Sequence, residues 1–286
     1  MDKALSVHLQ NRFPEYEFRT IKQVYGGDIN ETYIIDTNKD SLFVKVNRKT
    51  KADMFEKEFN GLHLLRSADS ILLPKPLIHG NFEENIYLVM ECIAKGNVSP
   101  GFWKQFAFEL ASLHKNTNEV FGLQEDNYIG SLPQRNKPHS TWSEFYAAQR
   151  VLPLMRIAFD QQKCESKDIK LAEIICNKFN ELFPEEPSSL LHGDLWSGNF
   201  MVNNEGKAVI YDPAVYYGHR EMDIGMTLLF GGFDNSFYDF YNEAYPLQKR
   251  WKERIPLTQL YPLLVHLILF GGHYQHSVRN ILNRFS

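Results

Sequence analysis

Cysteine is scarce in this chain of 286 residues: Cys92, Cys164 and Cys176 stand far apart, with no C-x-x-C. That odd, scattered set excludes a disulfide framework and reads as buried or incidental thiols in a reducing compartment. An excess of charge is missing too. Thirty-one Lys and Arg against 35 Asp and Glu leave a net charge of −4, no electrostatic footprint for nucleic acid or an anionic membrane. The most apolar segment, residues 262–272, is interrupted by His266 and too short to span a bilayer. Met1 to Ser6 lack the apolar stretch of a signal peptide. The expectation is a soluble cytoplasmic protein that binds neither nucleic acid nor membrane. Low-complexity tracts and fixed-period repeats are absent. So are G-x-S-x-G, G-x-G-x-x-G and H-E-x-x-H, and His273-x-x-His276 has no third ligand nearby. This argues against the common hydrolase, dehydrogenase and zinc frameworks.

What remains is an ordinary globular composition, 43% hydrophobic and 23% charged, with length for one large domain or two lobes of about 100–150 residues. The chain changes character near residue 92. Before it, β-rich runs at 19–25, 33–36, 42–46 and 86–91 are bounded by Gly, Asn or Asp, as hairpin strands would be. One helix, from about 51 to 66, interrupts them. After residue 92, Trp103, Phe106, Ala107, Leu110, Leu113 and His114 follow one helical face, and 142–159 and 169–183 read similarly. A second β-rich stretch, 190–211, turns at Asn203-Asn204-Glu205-Gly206. The reading is α+β: residues 1–92 form a small antiparallel-sheet lobe with one main helix, residues 93–286 a larger, mostly helical lobe. A ligand cleft is expected between them.

The chemistry concentrates in His192-Gly193-Asp194-Leu195-Trp196-Ser197-Gly198-Asn199 and, behind a short apolar strand, Tyr211-Asp212-Pro213-Ala214. H-x-D-x-x-x-x-N followed by an Asp at a strand end is the skeleton of a phosphoryl-transfer site. One carboxylate, Asp194, accepts the proton of the attacking hydroxyl; an amide, Asn199, and a second carboxylate, Asp212, hold Mg²⁺ against the phosphates of ATP. The competing reading, a polar hairpin turn, accounts for Asp, Gly and Asn but not for the strand and Asp212 that follow. His192 reads as a brace for the loop's backbone rather than the base. Asp223 reads either as an N-terminal helix charge or as a brace for the same loop.

In the small lobe Lys45 stands amid Phe43-Val44-Lys45-Val46, on the strand face opposite Leu42, Val44 and Val46. A buried charge there requires a partner; the alternative is an edge-strand lysine that discourages aggregation. On the following helix Phe55, Phe59, Leu62 and Leu65 define an apolar stripe. Glu58 falls inside it and Glu56 projects away, so the expected pair is Lys45–Glu58, set against phosphate. Gly26, Gly27, Asp28, Ile29 and Asn30 join the first two strands, as a plain turn or as a loop whose amides meet phosphate. Met90, Glu91, Cys92 and Ile93 begin the connector, where backbone groups would read an adenine edge.

There is no Asp-Phe-Gly or Ala-Pro-Glu and little room for an activation segment, which points to a small-molecule kinase. The segments 192–199 and 211–214, together with Tyr217-Gly218-His219, Phe230-Gly231-Gly232-Phe233, Phe43-Val44-Lys45-Val46-Asn47 and Asn127-Tyr128-Ile129-Gly130-Ser131, resemble the fructosamine kinase (ketosamine-3-kinase) family. The Trp-Ser-Gly-Asn form of the loop is the specific part; its Asp/Asn skeleton is shared with aminoglycoside and choline kinases. The resemblance implies a protein-kinase-like fold and ATP-dependent phosphorylation of the C3 hydroxyl of ketosamines, free or protein-bound. Elimination of the unstable 3-phosphate would then free the amine. It carries Asp194 over as base, Asn199 and Asp212 as Mg²⁺ ligands and Lys45 with Glu58 as the phosphate pair. Trp196 becomes a wall for the sugar or, alternatively, a ring packed within its own loop, and His192 joins it on the acceptor side. Many members carry Cys where this chain has Asp28. The runner-up readings are a kinase for an aminoglycoside- or choline-like acceptor and a catalytically silent binding module on the same fold.

Overall fold

The computed structural model describes residues 1–24, 30–48 and 53–286. Helix α1 (Lys3–Arg12) opens the chain, capped by Asp2, whose carboxylate accepts the Leu5 N–H at 2.7 Å. Strands β1 (Phe18–Val24), β2 (Glu31–Thr37) and β3 (Leu42–Arg48) precede α2 (Met54–Ser67), and β4 (Pro76–Phe82) and β5 (Asn85–Glu91) follow it. They form one antiparallel sheet in the order β1-β2-β3-β5-β4. The alternation of β3 sorts its side chains. Leu42, Val44 and Val46 pack with Leu5 and Leu9 of α1, Phe13, Ile35 and Val89. The opposite face meets Phe55, Leu62 and Leu65 of α2. Covered on both faces and central in the sheet, β3 is no edge strand, and the edge reading of Lys45 falls. Strand β4 was not expected: Pro76, Gly80 and polar neighbours blur its alternation. Gly80 sits opposite Tyr87, where a Cβ would come within 2.7 Å of the Tyr87 hydroxyl oxygen.

The helical part begins with α3 (Phe102–His114) and the short strands β6 (Thr117–Asn118), β7 (Asn127–Ile129) and β8 (Leu132–Gln134). Next, α4 (Trp142–Phe145) runs through a π-helical turn, Tyr146–Val151, into α5 (Leu152–Asp160), followed by α6 (Ser166–Cys176) and α7 (Phe179–Leu182). The 190–211 stretch is not one hairpin. β9 (Ser188–Leu191) lies between β12 (Tyr216–Gly218) and β6, whereas β10 (Phe200–Val202) and β11 (Ala208–Ile210) pair with each other. Helices α8 (Glu221–Leu229), α9 (Asn235–Ala244), α10 (Trp251–Phe270) and α11 (Tyr274–Phe285) complete the chain.

Sheet and helices share a core. Phe55, Leu65, Phe106, Leu110, Leu190 and Ile210 belong to one buried cluster, and the Ile210 N–H donates to the Leu72 carbonyl at 3.1 Å. Helix α2 is also tied to the 125–128 segment: Lys57 Nζ donates to Glu125 Oε2 at 2.7 Å, and the Tyr128 hydroxyl to Asp53 Oδ1 at 2.6 Å. The three cysteines are unpaired, and no helix among the described residues is long and apolar enough to cross a membrane.

Candidate active site

The loop after β9 is held from behind. Asp223, in the first turn of α8 and 1% exposed, accepts the His192 N–H on Oδ2 at 2.8 Å and the Gly193 N–H on Oδ1 at 2.9 Å. His114 Nε2 also reaches Asp223 at 3.2 Å, and its Nδ1 lies 2.7 Å from the Tyr241 hydroxyl. Burial opposes the charge on Asp223, yet these donors hold its carboxyl below the usual aspartate range. The bracing reading of Asp223 is the one the geometry supports. Gly193 has φ +83°, and a Cβ there would lie 2.0 Å from the Ala214 carbonyl oxygen, so only glycine fits.

His192 is wholly buried behind the loop. Its Nε2 donates to the Tyr211 carbonyl at 2.9 Å, which leaves Nδ1 to accept the Asp194 N–H at 3.3 Å. Burial lowers its pKa and keeps the ring neutral. It does not line the cleft, so its expected place on the acceptor side is corrected: it braces backbone.

Asp194 faces the cleft. Asn199 Nδ2 donates to Asp194 Oδ2 at 3.0 Å and to its carbonyl at 2.8 Å, which turns the amide oxygen of Asn199 away from the carboxylate. Burial pushes the Asp194 carboxyl up to about 7; Asn199 opposes the shift, and the charges of Asp212 and Asp223 add to it. The Tyr211 N–H donates to the Asn199 carbonyl at 3.0 Å, tying the loop to the strand that ends at Asp212. Asp212 itself lies in the left-handed region at φ +58°, uncommon for a residue with a side chain.

Across the cleft, Lys45 Nζ stands 2.6 Å from Glu58 Oε1 and 2.5 Å from Asp212 Oδ1. Burial at 4% exposure works against the ammonium, but the two carboxylates outweigh it and raise its pKa. Burial in turn raises the pKa of Glu58, against the pull of Lys45. Asn30 accepts from Asn47 Nδ2 at 2.7 Å on the same side. Asn30, Lys45, Glu58, Asp194, Trp196, Asn199 and Asp212 all line one cleft. Gly26, Gly27, Asp28 and Ile29 lie outside the described residues. Met90 to Ile93 do not line this cleft, and two of their backbone donors are engaged: Glu91 N–H with the Lys75 carbonyl, and Cys92 N–H with that of Ser41. Trp196 packs within its own loop and also lines the cleft. Its ring lies over Gly198, where a Cβ would come within 2.3 Å of it, and edge-on to Phe230 at 5.7 Å, yet it is 36% exposed.

The fructosamine kinase family profile matches residues 1–286. The chain belongs to the fructosamine kinase family. The chain is 38% identical over 266 residues to the probable ketoamine kinase of Enterococcus faecium, covering 92% of this chain and 94% of the relative. It is also 38% identical over 271 residues to the chloroplastic protein-ribulosamine 3-kinase of Arabidopsis thaliana, covering 93% and 82%. A solved structure from Thermobifida fusca assigned as a fructosamine-3-kinase superposes with a TM-score of 0.87 at 33% identity, covering 99% and 98%. The aminoglycoside phosphotransferase APH(4)-Ia, at a TM-score of 0.67, 17% identity and 99% coverage of both chains, shares the fold alone. The fold is protein-kinase-like, and the chain is a phosphotransferase acting on a hydroxyl group, with ATP use implied by the family.

This family member also lines its cleft with residues that carry no motif chemistry. Asn127 to Gly130 come from the β7–β8 hairpin, and Val265, His266, Leu269 and Phe270 from α10. The one signal for the second group was His266 inside an apolar run. Its Nδ1 donates to the Pro262 carbonyl at 2.8 Å, and burial lowers its pKa.

Proposed function

We propose that the protein is an ATP-dependent ketosamine 3-kinase, free or protein-bound ketosamines being the acceptors, and that it acts in deglycation. The observation that carries this reading is the meeting of Asp194, Asn199 and Asp212 with the Lys45–Glu58 pair in one cleft. The chemistry named for its relatives supports it.

Asp194 is the base. Its carboxylate receives the proton of the C3 hydroxyl as that oxygen bonds to the γ-phosphorus and the bond to ADP breaks; a carboxyl near 7 suits proton transfer at neutral pH. Lys45, oriented by Glu58, presents its ammonium to the phosphates. Asn199 and Asp212 fit Mg²⁺: each offers a hard oxygen, and Mg²⁺ takes one or two protein ligands with phosphate and water completing its shell. No group of three His, Cys, Asp or Glu suited to a resident metal occurs among the described residues, consistent with an ion that arrives with nucleotide. Bound there, Mg²⁺ would neutralise charge on the phosphates. Trp196 forms the sugar wall.

Residues 1–92 and 93–286 act as nucleotide and acceptor lobes. Adenine would be read by the Ile93 N–H and by carbonyls of 90–93, since the Glu91 and Cys92 donors are engaged. A cytoplasmic location completes the reading. The test is ATP consumption over synthetic erythrulosamines, ribulosamines and fructosamines, with kanamycin and choline as controls. Turnover with a ketosamine and neither control is expected. Turnover confined to kanamycin or choline would overturn the reading. Of the cleft's three carboxylates, Glu58 and Asp212 are already bonded to Lys45, an unpromising lining for a polycation.

A further inference from the structure

Behind the β7–β8 hairpin lies a buried polar network that the reaction described above does not use. Strands of three residues are too short to hold a hairpin on their own, yet Tyr128, Ile129 and Gly130 form a wall of the cleft. At the hairpin's base Asn127 and Gln134 are paired in register and are 6% and 1% exposed. Asn127 Nδ2 donates to the Val215 carbonyl at 2.8 Å, and Gln134 Nε2 to the Ala214 carbonyl at 2.9 Å. Asn127 Oδ1 accepts from Gln134 Nε2 at 2.8 Å and from Asn136 Nδ2 at 3.0 Å. Tyr261 of α10 donates its hydroxyl to Gln134 Oε1 at 2.7 Å.

Both amide nitrogens face carbonyls, which only accept, so neither amide can turn round without burying an unpartnered group. A network of this kind is costlier to bury than an apolar contact, and what it gains is one geometry. Its targets show what that geometry serves. Ala214 and Val215 follow Asp212 and Pro213 directly, and Tyr261 lies one turn before Val265 and His266 of the cleft wall. Hairpin, Asp212 segment and α10 are thereby fixed against one another.

We propose that Asn127 and Gln134 are positioning residues for phosphoryl transfer, holding the hairpin wall against the Asp212 segment so that the acceptor hydroxyl arrives within reach of Asp194. The proposal rests on the kinase reading above. Misplacing a reacting group by about 1 Å can cost ~10²-fold in rate, whereas the nucleotide phosphates would meet Lys45, held by Glu58, on the far side of the cleft.

The test uses Gln134→Met, similar in length but without the amide, and Tyr261→Phe, which removes one hydroxyl from the network. Each is assayed with ribulosyl-lysine and Mg·ATP and followed by thermal melts. Gln134→Met should lose about 10²-fold in kcat/KM for the acceptor and Tyr261→Phe about tenfold. KM for ATP should stay within about twofold, and the Mg·ATP-induced rise in Tm should persist. Unchanged acceptor kcat/KM in a folded variant, or a rise in KM for ATP as large as the acceptor loss, would overturn the proposal. Should Gln134→Met fail to fold, Tyr261→Phe decides alone. A wild type inactive on every ketosamine would defeat the functional reading and this proposal with it; an active wild type with unaffected variants defeats this proposal only.

Discussion

Asp194 sits where burial works against its own ionisation. Its carboxyl is raised from 3.8 to about 7, so the folded state favours the protonated form. The stability linked to this group is therefore full below about pH 4 and is lost as pH rises through about 7. Asp194→Asn should then melt higher than wild type at pH 8, by about 2 kcal/mol after discounting the ~4 kcal/mol that three pKa units represent, and the gap should close near pH 4. Catalysis runs the other way. Wild-type kcat/KM should fall as pH drops below about 7, and a profile flat down to pH 5 would exclude Asp194 as the base. Lys45 is the second sensitive residue. Lys45→Met strands Glu58 in the core and should cost about 3 kcal/mol in a urea melt. Adding Glu58→Gln should restore most of that stability without restoring turnover.

Among the elements, periodicity made β1, β2, β5 and α3 legible, and an internal contradiction added a contact between β3 and α2. A lysine in a central strand and a glutamate inside an apolar helix stripe each need the other, and the 2.6 Å contact joins them. Strand β4 carried no such signal, because its partial burial hides the alternation. The β9 strand was merged with β10 and β11 because chain order does not reveal that its partners, β12 and β6, lie far away in sequence. Asp223 was legible only as a choice between two roles, since one carboxylate bridging two loop amides is a tertiary fact. It yields a prediction for the β9 loop as a unit. Asp223→Asn turns amide hydrogens toward at least one of the His192 and Gly193 N–H groups, and should cost about 3 kcal/mol. kcat should fall by ~10²-fold or more as the loop shifts. Wild-type kcat in a folded variant would show that the loop holds itself.

At the scale of the molecule, an antiparallel sheet followed by a mostly helical part could be read from the change in periodicity near residue 92. The cleft's far wall could not: residues 127–131 stood out only by family resemblance, and the α10 residues follow no chemical pattern. Nucleotide that binds across such a cleft should stabilise the whole fold. Mg·ATP at about 100 times its Kd should add ~2.7 kcal/mol to unfolding. Asp194→Ala should keep that increment while losing phosphorylation, and chelation of divalent metal should abolish turnover. An Asp194→Ala variant keeping more than about a tenth of the wild-type rate would contradict its assignment. Helix α2 carries a last consequence. It is pinned to the sheet through Glu58 and to the helical half through Lys57 and Asp53, so a swing outward must break three bonds at once. A machine assembled this way holds its lysine at the cleft before any nucleotide or acceptor arrives.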